Sequence, residues 1–152
     1  MRIDAHLHKW RRFDAVRQRL HPLREFELWY WATLSGGTAL VNAALHAAGV
    51  TEENRLFATQ VPDVYAVYDS GRDWHAVLGR RCDLIHVGLP EIGAPLPEAL
   101  QRAFDAMHRI EHYRDPCVRG SLPMTEGVVE ECETAYRALT SALGDLTRCE
   151  RP

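Results

Sequence analysis

The sequence predicts an all-α fold, an up-and-down helical bundle with a partly irregular insertion, and three stretches carry that prediction. Leu23–Val50 is the longest run with apolar residues at helical period, Pro97–Arg114 carries a second apolar stripe, and Thr125–Thr147 carries a third. Domain organisation follows from length: 152 residues suit one domain, long enough to bury a core. We expect an N-terminal arm over residues 1–12 and a single helical-bundle domain over 13–152, with residues 61–97 as the irregular insertion.

Composition excludes several classes. A hydrophobic share of 46% and a charged share of 26% are those of a globular chain. Net charge is −3 with no polybasic run, which speaks against a basic nucleic-acid tail. Cys82, Cys117, Cys132 and Cys149 form no CxxC pair, so neither a zinc ribbon nor a disulfide framework is indicated. No apolar run reaches membrane-spanning length, and the first residues carry charges and histidines rather than a signal-peptide core. The expectation is a reduced, cytoplasmic protein with no membrane partner.

Taken in order, Arg11–His21 reads as a short helix capped by Asp14, with Val16 and Leu20 inward. In Leu23–Val50 the stripe runs through Leu23, Phe26, Tyr30, Thr33 or Leu34, Gly37, Val41, Ala44 or Leu45 and Ala48. Pro22 suits a first turn, and Gly49 suits the left-handed residue just past the end. Ser35-Gly36-Gly37-Thr38 interrupts the run, since each glycine costs about 1 kcal/mol against alanine in a helix interior. Either a neighbouring helix approaches closely there or the chain turns; we favour one long, kinked helix. Consecutive residues Trp29, Tyr30 and Trp31 point about 100° apart on a helix, so they cannot share one core face. A dimer interface or burial under the irregular segment would take the remainder.

Beyond Gly49, Thr51-Glu52-Glu53-Asn54 reads as a cap leading into Leu56–Gln60. Val64–Tyr68 has strand-like composition ended by Asp69-Ser70-Gly71, Asp73–Arg80 reads as a helical turn, and Cys82–Val87 as a short buried strand or extended segment. A short two-stranded element is compatible with this. Pro97–Arg114 presents Leu100, Ala103 or Phe104, Met107 and Ile110 on one face, and Asp115-Pro116 is expected to stop it. In Thr125–Thr147, Val128 or Val129, Cys132, Tyr136, Leu139, Leu143 and Leu146 face inward, with Glu126, Glu130 and Glu131 near the positive end of the helix dipole.

Four constellations could carry chemistry. Asp4-x-His6-x-His8 resembles the first-strand signature of the amidohydrolase superfamily, in which alternating histidines on one strand face bind a metal. That family needs an α/β barrel of about 250 residues, and the rest of this chain is helical. The plain alternative is an arm with surface histidines, or a metal or substrate contact in another fold. His108-Arg-Ile-Glu-His112 places two imidazoles one turn apart on a helix, and His46 could complete a metal site if the helix ends meet. This pattern resembles the DinB-type four-helix bundles, which bind a divalent metal through an early histidine and a late HxxxH pair. The resemblance implies His46, His108 and His112 as ligands.

The order of helices also resembles HEPN-type bundles, with a long aromatic- and alanine-rich helix (Phe26–His46) and a later proline-opened one (Leu96–Arg114). Members act as RNases through Arg-x4–6-His motifs or as nucleotide- or RNA-binding partners, usually dimers. Arg81/His86, Arg80/His86, Arg102/His108 and Arg2/His8 match that spacing, while no histidine follows Arg114-Asp115 at the right distance. Finally, Trp74, Arg81 and His86 gather in the insertion as a candidate small-molecule or partner pocket. The expected function is a HEPN-like homodimeric binding or accessory protein for a small molecule, nucleotide or RNA. The alternatives are a DinB-like metal-dependent enzyme and an interaction module without chemistry.

Overall fold

In a computed structural model of the chain, residues 1–53, 64–85, 87 and 91–144 are described. The chain is mostly helical, 59% of it, with a small two-stranded antiparallel sheet beside the helices. Four α-helices follow in order, α1 (Ile3–Arg17), α2 (Phe26–Ala47), α3 (Glu98–Glu111) and α4 (Glu126–Ala142). The strands β1 (Val64–Asp69) and β2 (Asp73–Leu78) lie between α2 and α3.

The long central run is one helix, α2, and sixteen of its residues are buried. The glycine pair does not break it, because both glycines are places of close approach. A Cβ on Gly36 would stand 3.0 Å from the Tyr136 hydroxyl and 3.3 Å from Phe13 Cβ, so α1 and α4 press there. A Cβ on Gly37 would collide with Met107 of α3 and reach within 3.0 Å of Leu139 of α4. The helix ends as its sequence predicts. Gly49 takes φ +69°, its N–H donates to His46 O, and the Val50 N–H donates to Leu45 O at 3.0 Å. This is the Schellman pattern, which turns the chain back on itself.

Helix directions follow from who meets whom. His6 at the start of α1 meets His46 at the end of α2, and Tyr30 at the start of α2 donates its hydroxyl proton to Ile110 O at the end of α3 (2.6 Å). The ends of α2 and α4 flank the start of α3, through Ala44, Ala48, Leu100 and Leu143. Successive helices therefore alternate in direction, up and down. Cross-ties join α1 to α4, where Arg17 pairs with Glu133 at 2.6 Å and the Trp10 indole donates to the Tyr136 hydroxyl at 3.1 Å.

Several expectations are corrected. Residues 1–12 are not an arm: Ile3–Arg17 is helical and buries His6 and Leu7 against α2. Asp14 lies inside that helix, paired with Arg17, rather than at a cap. Trp29 and Tyr30 are buried within the chain and Trp31 packs against the same core, so the cluster needs no second copy to cover it. Asp73–Leu78 is a strand, not a helical turn, in register from Val64 opposite Leu78 to Asp69 opposite Asp73. The reason is the three-residue loop. Asp69 Oδ1 accepts from the Gly71 N–H, and Asp73 takes the left-handed φ of 62°, which folds the chain into a hairpin. The segment Cys82–Val87 forms no strand in its described residues; Glu91 pairs with β2 instead, bridged to Val77.

After α3 the chain does not stop at Asp115-Pro116 but makes a π-helical turn, Arg114–Arg119, which buries Cys117. A wider turn accommodates a proline that lacks an N–H and crowds the carbonyl before it. Gly120 closes it, since a Cβ there would stand 2.7 Å from Pro116 O. Thr125 caps α4 by accepting from the Val128 N–H at 3.4 Å. The segment Leu56–Gln60, into which the expected cap leads, and the last residues through Thr147 lie outside the described residues.

Candidate metal centre

At one end of the α1–α2 hairpin, three side chains converge: His6, His46 and Asp83, all buried. Each has a local reason to be there. His6 lies on the inward face of α1 beside Leu7. The start of α1 is fixed by Glu53, whose Oε2 accepts the Ile3 N–H at 2.7 Å. His46 occupies the last turn of α2. Asp83 comes from the loop after β2, and that loop is gripped by Asn42, one turn before His46. The Asn42 amide donates to Leu84 O at 2.9 Å and accepts from the Leu84 N–H at 2.7 Å.

The ligand-type atoms of the three residues lie within 4.8 Å of one another. His46 Nε2 is 3.0 Å from Asp83 Oδ1, and His6 Nε2 is 3.3 Å from that same oxygen. The imidazole centroids are 5.3 Å apart and tilted by 43°. On its other side the His46 ring meets Thr51, with Nδ1 2.8 Å from Oγ1. The reversal at Gly49 makes this possible by folding Thr51 back over its own helix end. Asp83 Oδ2 in turn accepts from the chain's terminal amine at 2.5 Å.

Electrostatics sharpen the arrangement. Burial draws the His6 imidazole below its ordinary value, opposed by Asp83. Burial alone would raise the Asp83 carboxyl, yet contacts with His46, His6 and the terminal amine overcome it and hold the group ionised well below the usual carboxylate range. A buried carboxylate thus faces two imidazoles. His6 Nδ1 has no partner, and Nε2 meets Asp83 Oδ1 at 3.3 Å without the alignment of a good hydrogen bond, although both nitrogens are shielded from water. Buried polar atoms in folded proteins are ordinarily satisfied, so such an orphan calls for an explanation.

The geometry fits a cation. Metal–nitrogen and metal–oxygen bonds of about 2.0–2.1 Å at tetrahedral angles put neighbouring ligand atoms about 3.3 Å apart. The two nitrogen–oxygen separations here are 3.0 and 3.3 Å. Two imidazoles and one carboxylate form a donor set for zinc, iron or their neighbours rather than for magnesium or calcium, which prefer oxygen. Among the described residues this is the one such cluster of histidine, cysteine and carboxylate ligands.

Of the residues singled out from sequence, His46 enters the cluster from the expected ligand set and His6 from the Asp4-x-His6-x-His8 stretch. His108 on α3 and His112 just past its end are exposed, His108 edge-on to Phe104 and His112 to Tyr113. The expected set of His46, His108 and His112 is therefore not assembled; α3 turns its apolar stripe inward and leaves both imidazoles outside. Trp74 is 67% exposed on β2 and packs against Tyr68, with ring centroids 5.4 Å apart. Arg81 is exposed in the loop after β2, and His86 lies outside the described residues. Arg102 and His108, six apart on α3, point about 120° away from each other.

Asp83 was missed in the sequence, although a signal existed. A carboxylate inside the apolar run Cys82–Ile85 must find a partner if the run is buried. No helix among the described residues is long and apolar enough to cross a membrane. Comparison of the chain with protein-family models, with curated proteins and with solved structures finds no match.

Proposed function

We propose that this chain is a metal-binding helical bundle in which His6, His46 and Asp83 hold one divalent transition ion of the zinc–iron class. The observation that carries the proposal is the convergence of two imidazole Nε2 atoms on one carboxylate oxygen, at 3.0 and 3.3 Å, in a buried cluster where His6 Nδ1 is left without a partner. A cation between them would give His6 Nε2 a well-directed partner and share the carboxylate with the terminal amine on its other oxygen. The reading keeps the metal-binding alternative drawn from sequence but exchanges two of its ligands, His6 and Asp83 standing in place of His108 and His112. When bound, the ion would supply a Lewis acid held by three protein ligands.

The test is the metal content of the tag-free purified protein, before and after equilibration with zinc, nickel and ferrous iron. One equivalent is expected in the wild type and none in His6→Ala or His46→Ala. A wild-type protein that takes up none of these ions sinks the proposal and returns attention to the HEPN-like nucleotide or RNA reading, which calls for an arginine and a histidine facing each other across a two-fold axis.

A second reading, an interaction module, draws on the exposed Tyr68–Trp74 pair on the hairpin. If that pair joins two copies, Trp74→Ser leaves a monomer in sedimentation under conditions where the wild type is a dimer. A wild type that is already monomeric removes the homodimer.

A further inference from the structure

We infer that Thr51 and Asn42 are the positioning residues of the His6–His46–Asp83 centre, one acting on the imidazole and the other on the carboxylate. The inference rests on the metal-binding reading above. Thr51 Oγ1 stands 2.8 Å from His46 Nδ1. With an ion on Nε2 in place of the proton that meets Asp83 Oδ1, Nδ1 carries the ring proton and donates it to the hydroxyl. The hydroxyl thereby fixes both the tautomer and the rotation of the ring, the two properties a metal-ligating histidine takes from its outer partner.

Asn42 acts through the backbone. Its amide makes two opposed hydrogen bonds to Leu84, at 2.9 and 2.7 Å, and its Nδ2 also donates to Thr38 O at 3.1 Å. The side chain is therefore held at its own helix and clamps the residue next to Asp83. Asn42 and Thr51 are buried, so neither competes with water for these bonds. Asn42 and His46 are four apart on α2, which puts both on the face that meets the loop.

The experiment is a Co2+ titration of the full-length, metal-stripped chain, followed by visible absorption and by competition with a chelator. The variants are Thr51→Val, Thr51→Ser and Asn42→Ala, each checked for helix content by far-ultraviolet circular dichroism. Thr51→Val keeps the shape and removes the hydroxyl; it is expected to weaken Co2+ binding about 10- to 100-fold and to alter the absorption bands. Thr51→Ser restores the hydroxyl and is expected to recover both. Asn42→Ala is expected to weaken binding to a similar degree, and should it fail to fold, the Thr51 pair decides.

A merely structural threonine would move the thermal midpoint without moving the cobalt spectrum. Wild-type affinity and an unchanged spectrum in Thr51→Val overturn the inference while leaving the metal centre standing. A wild type that binds no Co2+ overturns both.

Discussion

Asn42 and His46 stand one turn apart on the same helix and hold two adjacent residues of one loop: Asn42 grips Leu84 through its backbone, and His46 meets the Asp83 carboxylate at 3.0 Å. Separations of 37 and 42 residues are thereby closed at two consecutive loop positions. The loop after β2 becomes part of the bundle, and a buried carboxylate is placed where His6 of α1 also arrives. Everything distinctive about the site follows from this registration of one helical face against one short segment.

The Asp83 charge is integral to the fold when no metal is bound. Asp83→Ala removes the carboxylate that both imidazoles and the terminal amine face and is expected to cost about 3 kcal/mol in denaturant unfolding of the metal-stripped protein. A loss below about 1 kcal/mol, the level of an exposed ion pair, would show that the carboxylate contributes little to folding.

His108 and His112 supply the converse. Both are exposed, one on α3 and one just past its end, so a His108→Ala/His112→Ala double variant is expected to retain wild-type metal content and stability within about 0.5 kcal/mol. Loss of the ion in that variant would restore the ligand set suggested by the HxxxH spacing.

The glycine pair of α2 gives a test of packing. Gly37→Ala gains helix propensity but drives a methyl group into Met107 and Leu139, and overpacking of this kind costs about 1–3 kcal/mol. The net expectation is a lower unfolding midpoint. Gly127 in the first turn of α4 has only Thr125 Oγ1 near, at 3.8 Å, so Gly127→Ala is expected to raise stability by about 0.5 kcal/mol. Equal effects at the two positions would contradict the close approach at Gly37.

Glu111 provides a pH signature away from the metal centre. Burial pushes its carboxyl up to about 7, against the pull of Arg114 and a hydrogen bond from the Val87 backbone. Because the folded value is raised, the folded chain binds this proton more tightly than the unfolded one. The associated stability is complete below pH 4.5 and is lost as pH rises to about 7. The difference in unfolding free energy between wild type and Glu111→Gln is therefore expected to change across that window and to be flat above it. A constant difference from pH 4 to 8 would show that Glu111 titrates as an ordinary surface carboxylate.

The helices were legible because apolar period is a local property. The stripe through Leu100, Phe104, Met107 and Ile110 is the buried face of α3, and read closely it already places His108 and His112 off that face. The site was legible only in fragments. His6 was marked by Asp4-x-His6-x-His8, but as a strand motif, in which His6 and His8 share a face. On the helix they point about 160° apart, which is why His6 is buried and His8 exposed. His46 stands apart from His108 and His112 and beside Asp83, a neighbour that spacing along one helix cannot reveal because it arrives on a returning loop. Gly49 was read as a helix end, whereas its further effect, carrying Thr51 back to His46, depends on the three-dimensional path of the turn.

The most direct test of the centre is a crystal equilibrated with zinc and measured at the zinc absorption edge. The account predicts one anomalous peak about 2.0–2.2 Å from His6 Nε2, His46 Nε2 and an Asp83 carboxylate oxygen. An empty cluster with zinc bound instead at His108 and His112 would contradict it.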